Sequence, residues 1–241
     1  MEIYSIFAQV YDELMDAPYQ EWAQLIEGFW LEHGQKPHLV LDLACGTGSM
    51  ITEFTKRGYD MIGVDISPEM LMMARMKNPD ALLLNQDMRE LELYGTVDAV
   101  VCLCDSLNYI LEHGELIEVF KLVKNYLNPN GLFIFDINTI YKFEHILSDN
   151  NFSYASENAA YIWENFYDAS ERLNEYRATF FVKGQGSGSA YTRHEEIHVQ
   201  KAYTDAQIKD ALNVSGLEFV ATHEEASKER AYYIAKKVAE K

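Results

Sequence analysis

Four aspartates stand where short apolar runs end. LVLDLACGTG places Asp42 just before a loop containing Gly46 and Gly48, MIGVD ends at Asp65, ALLLNQD at Asp87, and VDAVVCLCD at Asp105. If each run is a strand of one parallel sheet, every carboxylate reaches the carboxyl edge, where open α/β sheets bind ligands. Four acids around one crevice repel phosphate and attract a cation. An acid about 20 residues beyond the glycine loop, at the end of the second strand, can accept both hydroxyls of a ribose; Asp65 lies 23 residues after Asp42. The chemistry indicated is recognition of a cationic, phosphate-free nucleoside.

The glycines narrow the ligand further. A dinucleotide loop needs a third glycine three positions after the second, and that place is Ile51. A phosphate loop of the Walker type needs Gly-Lys-Ser/Thr, whereas Gly48 is followed by Ser49 and Met50. A second motif, His194-Glu195-Glu196-Ile197-His198, matches the H-E-x-x-H zinc signature, which requires a helix. Here polar and apolar residues alternate after a glycine-rich turn, so a strand is expected. Its two histidines would then stand about 13 Å apart, too far to share one zinc. No metal site is expected. Cys45, Cys102 and Cys104, in or beside apolar runs, suit reduced core thiols.

These residues need elements to position them. The pattern predicts an amphipathic helix over 19–33, a strand over 39–43 and a helix over 49–57 closed by Gly58. Ser67 and Pro68 open a methionine-rich helix that ends near Asn78, its methionines read as core packing. A helix over 115–127, a turn over 128–131 and the strand LFIFDI follow, then a helix over 204–214 and a closing strand pair, LEFVATHEE and AYYIAKKV. Between them AAYIWENFY, RLNEYRATFFVK and AYTRHEEIHVQK alternate, the last two joined by GQGSG, which predicts a three-stranded antiparallel meander. Its aromatics Tyr154, Tyr161, Trp163, Phe166 and Tyr167 suit either a pocket wall or simple packing onto the main domain. Tyr4, Phe7 and Tyr11 fall on one face of an N-terminal helix.

Composition bounds the function. With 241 residues, 48% of them hydrophobic, the chain can bury one full α/β core with an elaboration. Twenty basic residues against 38 acids, a net charge of −18, disfavour a nucleic-acid partner. No apolar run approaches the ~20 residues of a membrane helix, and no basic-then-apolar leader opens the chain, so a cytoplasmic location is expected.

LDLACGTG, GVDISPEML, NQDMREL and DSLNYI, in that order, resemble the class I S-adenosylmethionine-dependent methyltransferases, within a small bacterial branch similar to glycine and sarcosine N-methyltransferases. The resemblance spans roughly residues 1–138 and resumes over 204–238. It implies a Rossmann-like α/β fold with a seven-stranded sheet of order 3-2-1-4-5-7-6, the last strand antiparallel. Residues 1–138 and 204–241 would form the cofactor-binding domain, and 139–203 an antiparallel β insert acting as a substrate lid. The cofactor implied is S-adenosylmethionine, leaving as S-adenosylhomocysteine. Its methionine moiety would lie near Asp42, Ala44, Gly46 and Gly48, its ribose on Asp65, its adenine between Ile66 and Met88 with the amino group on Asp87, and its methionine carboxylate and amine beside Cys104 and Asp105.

The reaction expected is direct in-line methyl transfer to a small-molecule acceptor. Tyr11, Asn108 and Tyr109 are candidates to line that acceptor, while Asp105 or His113 could take a proton. A protein or RNA methyltransferase, a zinc hydrolase and a non-catalytic cofactor-binding module are the alternatives. The acceptor's identity and the choice between monomer and dimer stay open.

Overall fold

The computed structural model describes residues 7–15, 17–184 and 190–239. Two helices, α1 (Phe7–Leu14) and α2 (Tyr19–Glu32), precede the first strand. Strands β1 (Leu39–Leu43), β2 (Asp60–Asp65), β3 (Leu82–Asn85), β4 (Val97–Cys102) and β5 (Leu127–Asn138) then alternate with α3 (Ser49–Lys56), α4 (Pro68–Lys77) and α5 (His113–Tyr126). Next come β6 (Asn151–Ala155), β7 (Ala159–Asp168), β8 (Leu173–Lys183) and β9 (Tyr191–Lys201), which form a sheet of their own. The chain returns through α6 (Asp205–Ser215), β10 (Glu218–Glu224) and β11 (Arg230–Lys236) to complete a seven-stranded sheet of order 3-2-1-4-5-11-10. Only β11 runs antiparallel to its neighbours β5 and β10. This is the Rossmann-like topology expected.

Both faces of the large sheet are covered, which is why its central strands read as unbroken apolar runs. Leu41, Leu43, Val100, Phe133 and Phe135 face α5 and α6, whereas Val40, Val101 and Ile134 face α2 and α3 through Trp30, Ile51 and Phe54. Local signals start and stop the helices. The Ser67 hydroxyl accepts the Met70 amide at 3.2 Å ahead of Pro68, and Thr204 with Gln207 forms a reciprocal capping box. Among the described residues no helix is long and apolar enough to cross a membrane.

Three expectations need correction. Residues 128–131 are not a free turn: β5 already pairs at Leu127 with Val97, and a bulge shifts the register before Leu132 meets Ala99. The insert has four strands, because Asn151–Ala155 also alternates and sets Phe152 and Tyr154 opposite Trp163 and Tyr161. The methionines of α4 are not all core. Met70 and Ala74, one turn apart, are buried, while Met72 and Met76 are 55% and 74% exposed, since a helix at a sheet edge covers one stripe only. Beyond Gly184, the rest of the GQGSG joint lies outside the described residues.

Candidate active site

After β1 the backbone turns left-handed at Ala44, Gly46 and Gly48, with φ of 63°, 53° and 74°. A side chain on Gly46 would meet nothing within 4 Å, so this turn faces open space where a ligand can approach the backbone. Gly48 has the opposite reason to be glycine: a Cβ there would lie 2.9 Å from the Ala74 Cβ of α4. The missing third glycine is explained by β2. Ile51 is fully buried, and a Cβ on Gly63 would stand 2.5 Å from its Cδ1, so the glycine that permits close strand–helix packing sits in the strand.

Asp65 closes the loop. Its carboxylate accepts the Gly46 amide at 2.8 Å and the Ser67 amide at 2.9 Å; burial pushes its pKa up and these amides hold it down. Asp42, flanked by Gly63 of β2 and Val101 of β4, is buried with Oδ2 lacking any hydrogen-bond partner. Burial first, and the Asp65 charge second, push its carboxyl up to about 7. An orphaned carboxylate oxygen beside an open loop suits a ligand's cationic group. Ile66 is left 59% exposed, and Met88 opens a short 3₁₀ turn. Asp87 caps that turn and is paired with Arg89 at 2.6 Å, whose hydrogen bonds hold its carboxyl below the usual range.

The loop after β4 is also left-handed, at Cys104 and Asp105. Asp105 is already engaged: Gln200 Nε2 donates to it at 2.8 Å and Arg230 Nη2 at 3.1 Å. Arg230 pairs with Asp136 as well, and its guanidinium lies 5.2 Å over the Trp22 ring. Burial alone would lower the Arg230 pKa, but the acids beside it, Asp105 foremost, raise it. Asp105 is therefore an ion-pair partner, not a spare base. Asn108 is likewise a correction. It is fully buried, donating to the carbonyls of Lys201 at 2.8 Å and Asn138 at 3.4 Å and accepting the Asn138 amide at 2.9 Å, so it ties three segments together and does not line the acceptor. His113 pairs with Asp210 at 3.0 Å between α5 and α6, away from the cavity.

Cys104 and Asp105 open onto a cavity of about 200 Å³ between α1, the loop after β4 and the inner face of the insert sheet. Among the described residues seven aromatic side chains line it: Tyr11, Trp22, Tyr109, Tyr161, Trp163, Tyr176 and Phe180. Lys142, Gln200 and Arg230 add polarity. Of the other insert aromatics, Tyr154 stacks on Tyr161, Phe166 carries Arg177 on the outer face, and Tyr167 packs on Phe143. Tyr11 reaches the cavity because α1 is held down by Asp12, which pairs with Lys77 and accepts from Thr47 at 2.8 Å and Ser49 at 3.1 Å. Burial, above all, raises the Tyr11 pKa. Tyr4 and the Phe7 side chain lie outside the described residues.

The H-E-x-x-H segment lies in β9, in the expected strand conformation. His198 is completely buried, stacked on Tyr176 with ring centroids 4.5 Å apart, and its Nε2 is 3.2 Å from Glu196. Among the described residues no three His, Cys, Asp or Glu side chains gather into a metal-binding group. Tyr176, Gln200 and Arg230 escaped the sequence reading, and Glu196 and His198 entered it only through the H-E-x-x-H motif. The available signal was the alternation of β8 and β9, which puts Tyr176, Glu196, His198 and Gln200 on one face.

Residues 40–131 match a family model described as "Methyltransferase domain". Over 247 aligned residues the chain is 37% identical to "Putative methyltransferase YqeM" of Bacillus subtilis (strain 168), covering 98% of this chain and 97% of that one. The chain is a class I S-adenosylmethionine-dependent methyltransferase. This methyltransferase superposes on the crystal structure of an S-adenosylmethionine-dependent methyltransferase from Clostridium acetobutylicum ATCC 824 with a TM-score of 0.86, at 32% identity, covering 99% and 100% of the two chains. The methyltransferase is also 27% identical over 188 residues to a dTDP-3-amino-3,6-dideoxy-alpha-D-glucopyranose N,N-dimethyltransferase of Streptomyces fradiae, covering 77% of this chain and 72% of that one. Its cofactor is S-adenosylmethionine.

Proposed function

We propose that this methyltransferase acts on a small molecule held in the aromatic cavity. The observation that carries this is the cavity itself: about 200 Å³, walled by α1 and the insert, it has room for a small acceptor. The Streptomyces fradiae relative, named for a dTDP-linked amino sugar, supports a small-molecule acceptor. When bound, S-adenosylmethionine supplies a methyl group on a sulfonium that leaves as a neutral thioether.

The chain's own residues hold, orient and keep out water. Asp65 accepts the ribose hydroxyls, the orphaned Asp42 oxygen and the open turn at Ala44, Gly46 and Gly48 face the methionine moiety, and Ile66 and Met88 flank the adenine. Asp87 takes the adenine amino group with its Arg89 partner beside it. Cys104 stands where the cofactor crevice meets the cavity, and Tyr11 and Tyr109 line the acceptor. The insert, residues 139–203, serves as the substrate wall.

The test is calorimetry with S-adenosylhomocysteine, then release of that product from S-adenosylmethionine with pooled amines, phenols and carboxylates, and separately with transfer RNA and cell protein. Binding and turnover with a small-molecule pool are expected. No binding at millimolar concentration overturns the cofactor site, and turnover confined to RNA or protein overturns the acceptor class.

A further inference from the structure

Where β5 ends, the wall of the acceptor cavity carries two donors with no role in the scheme above. Asn138, the last residue of β5, and Lys142, one turn further on, both line the cavity. The Lys142 amide donates to Thr139 Oγ1 at 3.2 Å as the chain enters a π-helical turn, Lys142–Leu147, and its ammonium donates to Asn138 Oδ1 at 2.9 Å. That contact orients the Asn138 amide, with the oxygen toward Lys142 and Nδ2 left over. Asn138 is 3% exposed, yet among the described residues no acceptor takes its Nδ2 hydrogens, and no carboxylate pairs with Lys142. We propose that Lys142 and Asn138 bind a carboxylate of the acceptor, and that a carboxylate oxygen is the atom methylated, giving a methyl ester. This rests on the small-molecule methyl transfer proposed above.

The other charges of the cavity are already matched. Asp105 is its one acid among the described residues, and Arg230 and Gln200 hold it. Arg230 is divided between Asp105 and Asp136. Lys142 is therefore the charge left for a ligand, on a wall that is otherwise mostly aromatic. Such a wall selects a single negative charge. An ion without a partner is penalised there, and a dianionic phosphate brings a second charge for which no second cation is spare. A carboxylate accepts from the ammonium and the amide through one oxygen and keeps the other free.

Oxygen methylation suits the groups on this wall. An ammonium or an alcohol must lose a proton before it attacks, and the Asp105 carboxylate is held by two donors. Burial keeps the Tyr11 and Tyr176 hydroxyls protonated and pushes the Cys104 thiol up to about 12. A carboxylate arrives with its lone pairs. An aromatic cavity would raise its pKa, and the Lys142 ammonium opposes that rise and keeps it ionised. In the proposed step a lone pair of the free carboxylate oxygen forms the new O–C bond as the methyl C–S bond breaks, its electrons going to sulfur. No proton moves. The anion and the sulfonium become a neutral ester and a neutral thioether, a loss of charge that a dry site favours. The oxygen held by Lys142 and Asn138 becomes the ester carbonyl and still accepts from both.

Calorimetry of the full chain saturated with S-adenosylhomocysteine, titrated with benzoate, benzamide, benzylamine and phenyl phosphate, reads the site directly. Benzoate is expected to bind at millimolar concentration, about 10-fold more tightly than the other three. Lys142→Met should weaken benzoate about 10-fold with S-adenosylhomocysteine affinity unchanged, and Lys142→Arg should retain most of it. Asn138→Asp, which sets a carboxylate of the protein on Lys142, should abolish benzoate binding and leave S-adenosylhomocysteine bound. No benzoate binding, equal binding of benzamide or benzylamine, or variants that bind benzoate as the wild type does, overturns the site; tighter phenyl phosphate overturns the carboxylate. Turnover of methyl-labelled S-adenosylmethionine with pooled aliphatic and aromatic carboxylic acids should then give label that mild alkali releases as methanol. Alkali-stable label, or turnover confined to amines and phenols that carry no carboxyl group, overturns oxygen methylation. Loss of S-adenosylhomocysteine binding in the wild type would instead defeat the methyl-transfer scheme on which the site rests.

Discussion

Asn in place of Asp42 should stabilise this enzyme and cripple its cofactor binding. The folded Asp42 carboxyl is pushed from 3.8 to about 7. Its pKa is raised on folding, so between about pH 4 and 7 the native state binds a proton that the unfolded chain has lost, and stability falls as pH rises through that window. At about 1.4 kcal/mol per pH unit, ionised Asp42 costs the fold about 4 kcal/mol above pH 7, but only about 1.5 kcal/mol at pH 5. Asn removes the charge and introduces an amide that finds no ready partner, a constant cost of about 1–3 kcal/mol. Asp42→Asn is therefore expected to gain about 1–3 kcal/mol over wild type at pH 8 and to lose that advantage at pH 5. The constant cancels in the double difference, about 2.5 kcal/mol between the two pH values. Urea denaturation of both proteins at pH 5 and pH 8 measures it, with equal m-values required. A stability difference that does not change with pH refutes the buried, ionising Asp42. Calorimetry on the same samples should show S-adenosylhomocysteine binding weakened by about 1–3 kcal/mol at pH 8, and wild-type affinity falling as pH drops below 7.

Asp65→Ala should weaken S-adenosylhomocysteine binding by about 1–3 kcal/mol in calorimetry, through lost hydroxyl contacts and a loosened Gly46 turn. Asn108→Ala leaves the Asn138 amide and Lys201 carbonyl without their buried partner, and should cost about 2–4 kcal/mol in urea denaturation. Gly63→Ala forces a Cβ to within 2.5 Å of Ile51 Cδ1 and 2.7 Å of Leu83 Cδ2, and should destabilise by about 1–3 kcal/mol. Adding Ile51→Val removes the nearest atom and should recover part of that loss, a coupling that a double-mutant cycle reads directly.

The cofactor half was legible because each of its signals is local. Asp42 and Asp65 end apolar runs, Gly46 and Gly48 follow the first, and Ser67 with Pro68 starts the next helix, so strand, turn and helix could be read within stretches of about ten residues. The acceptor half was not, because its contacts join residues far apart in the chain: Tyr109 meets Tyr176 at a separation of 67 residues and His198 at 89, and Arg230 meets Asp105 at 125. Alternation alone was enough to set the His194–His198 stretch in a strand. It could not say that His198 would face a tyrosine of another segment. Asp105 and Asn108 were singled out for their place after β4, and of the two only Asp105 lines the cavity. Their side chains, however, were claimed by Arg230, Gln200 and the Asn138 and Lys201 backbone. The strand NFSYA was overlooked although Phe152 and Tyr154 alternate, because five residues carry too little periodicity to stand out.

The exchange between Ile51 and Gly63 bears on what this sequence can become. A drift toward the dinucleotide loop would begin with Ile51→Gly, which empties a fully buried site facing a residue that has no side chain to refill it. The reverse order, a larger residue at Gly63 first, meets the Ile51 methyl before any room exists for it. Each single step is uphill and the second recovers part of the cost of the first, so the loop's ligand preference is guarded by core packing as well as by the acids proposed to touch the ligand. Substitutions at these two positions are expected to travel together among descendants of this chain, although neither position belongs to the binding crevice.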